Sequence, residues 1–204
     1  MENSQMLQQT QLQHVNVKLI LRNHAGAGPE PLLEQLIPVF HEWIQDQPPG
    51  ELLLDIADYR HVPAGPGIVL IGHEGDYSVD NTDDRLGVRY NRKAALDGSN
   101  EDRLKQAARA ALTACRRLEE EPRLGGKLRF GGQEIEIFIN DRLIAPNSDA
   151  TREATDLEFR AFARKLFRGT DYSVTHEDDR RRLFKVFLKS AQPFSVADLL
   201  ESLD

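Results

Sequence analysis

The sequence predicts an α+β protein of internally duplicated strand-helix-hairpin-helix units: mostly antiparallel sheet, helices on one face, and an approximate two-fold relation between the halves. Three observations carry this. Asp76-Tyr77-Ser78-Val79 runs on into Asp83-Asp84-Arg85, and Asp171-Tyr172-Ser173-Val174 runs on into Asp178-Asp179-Arg180. The two ten-residue segments lie 95 positions apart (171 − 76) and are identical at seven positions. Each is an alternating apolar run broken by an acidic turn, the pattern of a β-hairpin. A Ser-x-x-Asp helix-start signal follows each hairpin, at Ser99/Asp102 and at Ser195/Asp198. Helical and strand periods alternate along the rest of the chain.

Residues 1–13 are polar and glutamine-rich and are expected to be a disordered leader. Val15, Val17, Leu19 and Leu21 alternate with polar neighbours, as in a strand buried on one face. After the turn Asn23–Gly28, Pro29 and Pro31 suit a helix start, and Leu32, Leu33, Leu36, Ile37, Phe40, Trp43 and Ile44 form its apolar stripe. Gln47-Pro48-Pro49-Gly50 ends that helix. Leu52–Ile56 then suggests a buried strand, His61–Gly67 a loop, and Ile68–Ile71 a central strand. Leu104, Ala107, Ala108, Ala111, Leu112, Cys115 and Leu118 mark the most regular helix, which stops before Pro122. In the second half, Lys127–Phe130, a Gly131-Gly132 turn and Ile135–Ile139 suggest a hairpin. A helix with Leu157, Phe159, Phe162, Ala163, Leu166 and Phe167 buried follows, and Gly169 stops it. The units divide at 14–122 and 123–204, packed as one body because either alone would bury a marginal core. The first carries an extra two-stranded block, about 46–75, that the second lacks.

Composition narrows the function classes. A net charge of −7 disfavours a nucleic-acid backbone or an anionic membrane surface as partner. Cys115 is the only cysteine, which excludes an intramolecular disulfide and a Cys-based zinc site and points to a reducing, cytoplasmic setting. No motif specifies a reaction, no cofactor is expected, and no metal is assigned. Whether the chain is an enzyme stays open.

The extra block offers the first candidate site. Asp58, Arg60 and His61 end one strand, while His73, Glu74 and Asp76 lie where the next one ends. Two histidines with carboxylates would suit a transition metal or an acid/base pair, but only if the strands bring both groups to one edge. An antiparallel pair would separate them. Asn140, Asp141, Arg142 and Asn147 form the second candidate, at a strand end before a helix, where Arg142 could clamp an anion or the group could cap a loop. The preferred reading is a non-catalytic binding or assembly module that takes a protein partner or its own copy as a homodimer. The alternative is a small enzyme or small-molecule ligand-binding protein drawing on Asp58, His61, His73, Glu74 and Arg142.

Overall fold

A computed structural model describes residues 10–22, 30–48, 50–63, 65–126 and 128–204. The expected turn at Asn23–Gly28 with Pro29, the leader through residue 9, and Pro49, Ala64 and Lys127 lie outside the described residues. In chain order the elements are β1 (Val15–Leu21), α1 (Glu30–Asp46), β2 (Leu53–Tyr59), β3 (Gly67–Gly72), β4 (Gly75–Asp80), β5 (Gly87–Arg92), α2 (Asn100–Glu120), β6 (Phe130–Ile139), α3 (Asp149–Leu166), β7 (Tyr172–His176), β8 (Phe184–Ser190) and α4 (Val196–Ser202). The fold is therefore α+β. Among the described residues no helix is long and apolar enough to cross a membrane.

All eight strands form one sheet in the order β2-β3-β4-β5-β1-β6-β8-β7, antiparallel at every pairing. Strand β1 lies at its middle, between β5 and β6, and there Leu19 stands opposite Ile135 of β6. From that point a continuous row of apolar residues runs outward, through Val88 and Val79 on one side and through Leu188 and Val174 on the other. Side chains alternate across a pleated sheet, so this row and its even-spaced neighbours Val17, Tyr90, Tyr77, Ile137 and Val186 share one face. Those residues are buried with Leu36 and Phe40 of α1, Leu104, Ala108 and Leu112 of α2, Phe159 and Phe162 of α3, and Leu199 of α4 in one core. Among the described residues all four helices cover that face and none covers the other.

Local signals explain the helix ends. Ser99 and Asp102 close a capping box at α2, and Ser195 and Asp198 repeat it at α4, satisfying amide donors that a helix start leaves open. Past α3, Gly169 adopts the left-handed backbone (φ +75°) and its N–H donates to Arg164 O. Cys115 is buried on the core stripe of α2, and burial pushes its thiol well up from the ordinary value.

Four local expectations change. Residues 130–139 form one strand rather than a hairpin, because Gly131 and Gly132 stay extended. A side chain at Gly132 would collide with Phe194 O, so the glycine serves close approach of a neighbouring segment rather than a turn. Leu157 lies on the outer surface of α3, 81 % exposed, one position off the buried stripe. Leu12 of the polar leader is fully buried, and its N–H donates to Asn100 Oδ1 at the start of α2. Lastly, β2 is an edge strand, with Leu52 and Leu54 half exposed.

That edge is guarded. An edge strand presents unpaired amides that can template another chain. Here Ile56 N–H donates to Asp55 Oδ1 at 2.7 Å, and Arg60 N–H to Asp58 Oδ1 at 3.0 Å. The two carboxylates engage one amide of the strand and one of the turn that follows it, and add charge beside exposed Leu54 and Tyr59. The double variant Asp55→Val/Asp58→Val is expected to associate in a concentration-dependent way by light scattering, while the parent chain shows less change. An unchanged size would mean the two carboxylates do not guard the edge.

Candidate functional site

The first group of residues singled out in the sequence does not converge. Strands β2 and β3 pair antiparallel, with Tyr59 opposite Gly67 and Leu53 opposite Gly72. His61 follows the first pair and His73 the second, so they sit at opposite ends, roughly 15–20 Å apart at the usual strand rise. Asp58 is tied to Arg60, with Nη2 to Oδ2 at 2.7 Å, and that guanidinium holds its carboxyl down at about 2. His61 stacks on Tyr59 at the surface. Glu74 pairs with Arg92 and Asp76 with Lys93. Among the described residues no three His, Cys, Asp or Glu side chains are grouped as metal ligands.

The second group holds backbone. Asp141 Oδ1 accepts from Leu143 N–H and Ile144 N–H, each at 3.0 Å. Arg142 donates to Arg181 O, and Asn147 Nδ2 donates to Glu177 O and Asp179 O. Asn140 N–H donates to His14 O. These residues tie the β6–α3 connection to the β7–β8 turn.

Buried polar chemistry concentrates elsewhere, on the helix-free face at the middle of the sheet. Lys18 of β1 stands between Arg89 of β5 and Glu136 of β6. Its neighbour along the strand on the same face, Asn16, stands between Asn91 and Phe138. Asn16 is 0 %, Lys18 1 %, Asp80 1 % and Glu136 2 % exposed. Charges of that kind are buried only when paired. Lys18 Nζ is in direct contact with Asp80 Oδ1, and Arg89 lies 3.7 Å from the other oxygen of that carboxylate. Lys185 Nζ lies 3.5 Å from Glu136 Oε2. Arg85 Nε lies 2.9 Å from Glu136 Oε1 as an ion pair without an aligned hydrogen bond. The aromatic ring of Phe138 receives Lys185 Nζ at 4.5 Å and the Arg89 guanidinium at 4.7 Å.

The acidic β4–β5 loop roofs this cluster. Its Thr82 O lies 3.4 Å from Lys18 Nζ, and Arg85 reaches across β1 to Glu134 and Glu136 on β6. Asp83 reaches further, contacting Arg182 and, at 3.2 Å, Lys185 of β8. Both Asp83 and Asp84 adopt left-handed backbone, φ +61° and +55°. That conformation costs a non-glycine residue of order 1–2 kcal/mol; the ion pairs of Asp83 offset it.

Several polar atoms on this face have no hydrogen-bond partner. Both side-chain atoms of Asn16 are orphaned, with Asn91 Oδ1, Asp80 Oδ2 and Arg89 Nε. All lie on β4, β5 and β1 around one spot. An open groove of about 390 Å³ runs along the outer hairpin past Tyr172, Ser173, Lys189 and Ser190, without unpartnered buried polar atoms of that sort. Sequence reading placed Asn16 and Lys18 on the polar side of a strand. The missing signal was their central position, which only the sheet order provides.

No protein-family model, curated protein or solved structure matches the chain.

Two titrations follow from this geometry. The Arg182 hydrogen bond, then the one from Lys185, holds the Asp83 carboxyl below its ordinary 3.8. A depressed carboxylate contributes stability that is present above the unfolded value and lost as pH falls through the folded one. Replacing Asp83 by Asn should therefore destabilise by about 1 kcal/mol at neutral pH, and the gap should close below pH 3.8 in denaturant titrations. In the second repeat His176 stacks on Phe184, and burial, then the Arg152 charge, lowers it from 6.5. The unfolded chain therefore takes up that proton first, so stability is full above pH 6.5 and falls below it. His176→Phe should flatten this slope between about pH 5 and pH 7. An unchanged slope would place the acid sensitivity elsewhere.

Proposed function

We propose that the protein is a non-catalytic binding module whose recognition site is the helix-free face of the sheet beneath the β4–β5 loop. One observation carries this reading: fully buried Asn16 spends neither of its hydrogen-bonding atoms, while the buried charges beside it, Lys18, Asp80 and Glu136, are paired. A buried donor or acceptor left unpaired costs about 1–3 kcal/mol, and sites kept against stability are places where folding and function pull apart. The alternative, an enzyme built on Asp58, His61, His73, Glu74 and Arg142, would need side chains that the antiparallel β2–β3 pair holds apart. Self-association through the β2 edge meets the Asp55 and Asp58 guard. The single cysteine, buried on α2, fits a reducing, cytoplasmic setting.

The same proposal takes the chain as a duplicated unit. Set β2 and β3 aside, and the order β4-β5-β1-β6-β8-β7 has the same arrangement from either end: each hairpin's second strand lies on its own unit's first strand. Val79 and Val174, equivalent in the repeated segment, end the apolar row that starts from Leu19 and Ile135. Tyr77 and Tyr172 precede them by two residues on the helix-covered face. These registers support an approximate two-fold axis between Leu19 and Ile135. On that reading β2 and β3 are additions to the first unit alone.

The test is a stability measurement. Asn16→Leu keeps the side chain's branching and heavy-atom count and removes both unpaired atoms, so it should raise unfolding free energy by about 1–3 kcal/mol and increase Tm by a few degrees. A loss of stability instead would assign Asn16 to the architecture and overturn the proposal.

A further inference from the structure

We infer that the face holds a slot for a neutral, planar carboxamide-type group, with Asn16 as its reader. This rests on the binding-module reading and names its ligand class. Asn16 presents a donor, Nδ2, and an acceptor, Oδ1, side by side in one plane, both unpartnered at 0 % exposure. The group that satisfies both at once carries an acceptor beside a donor at the same spacing, as a primary carboxamide does, and as the amide edge of a nucleobase does.

The surroundings complete the match. Asn91, directly opposite on β5, adds the free acceptor Oδ1, and Arg89 adds the free donor Nε. Phe138, opposite Asn16 on β6, supplies a ring for a flat group to stack on. That ring already receives the planar guanidinium of Arg89, which must cross β1 from β5 to reach it. Arg89 therefore roofs Asn16 and has to swing aside for the ligand to enter. Charge argues for neutrality: the cations Lys18, Arg89, Lys185 and Arg85 are matched by the carboxylates Asp80, Glu136, Asp83 and Glu134. A charged ligand would be desolvated here without a spare counter-ion. Water could fill the same positions, since a buried water needs two to four polar partners; the experiment separates the two.

Calorimetric titration of the full chain with nicotinamide, adenine and uracil, with nicotinate as the charged control, tests the inference. At least one of the first three should bind at millimolar concentration or tighter, about tenfold better than nicotinate. Binding of nicotinamide alone assigns the slot to a carboxamide ligand, and binding of adenine or uracil alone assigns it to a base. The Asn16→Leu variant, checked for folding by circular dichroism, should lose about tenfold or more in affinity. Asn91→Leu, at a less buried position, is the second variant and should weaken the same ligand. No binding by any of the three, equal binding of nicotinate, or unchanged affinity in both variants would overturn the slot and leave water as its occupant. If Asn16→Leu gains stability and still nothing binds, the ligand class fails while the module reading stands.

Discussion

A lysine and an aspartate meet out of water near the middle of the sheet, and much of the helix-free face is arranged by that contact. Moving either ion out of water costs several kcal/mol even after relaxation, and removing one partner typically costs 3–5 kcal/mol because the other is stranded. Lys18 and Asp80 come from strands separated by β5, so their contact requires the β4–β5 hairpin to sit beside β1 in one register. Arg89 on the intervening strand completes the carboxylate's surroundings. The pair is thus a constraint on pairing as much as a source of stability. An apolar substitute could pack as well, but it would not oppose a register slip so strongly.

The helix-covered and helix-free faces divide the labour. One is a continuous apolar core, from the row through Leu19 and Ile135 up to the stripes of four helices. It accounts for the fold through burial of apolar area. The other face has no helix to cover it and is closed by long cationic side chains, an aromatic ring and an acidic loop in left-handed conformation. The loop is held down by Asp83, which pairs with exposed Arg182 and buried Lys185, and by Arg85, which pairs with Glu136. A recognition site is better placed there than among the helices.

The two hairpins that share the Asp-Tyr-Ser-Val and Asp-Asp-Arg residues carry different chemistry. In the first, Asp83 and Asp84 roof the central cluster, and Asp83 contacts Arg182 and Lys185 of the second half. In the second, Asp179 turns back on Arg181, and Asn147 binds the turn's carbonyls. Equal sequence does not impose equal turn geometry, since Asp83 and Asp84 are left-handed and their counterparts Asp178 and Asp179 are not, and neighbours decide what each carboxylate does. Strands β2 and β3 extend the sheet beyond β4, and β7 and the guarded β2 are its edges.

Local chemistry determined much by itself. The alternation of Val15 to Leu21, the stripe from Leu104 to Leu118, both Ser-x-x-Asp caps and the paired acidic hairpins each depend on residues within a few positions of one another, and each is legible without a partner segment. Tertiary structure alone decided what those elements meet. Leu52 and Leu54 look like core until their strand turns out to be an edge; Gly131-Gly132 looks like a turn until a neighbouring segment needs the space. Asn16 and Lys18 look like solvent-facing residues until β1 proves central, with its polar side closed by side chains from β4, β5, β6 and β8. Burial of a polar side chain depends on contacts between residues 47 to 62 positions apart (185 − 138, 80 − 18), and no period or spacing in a single sequence encodes those.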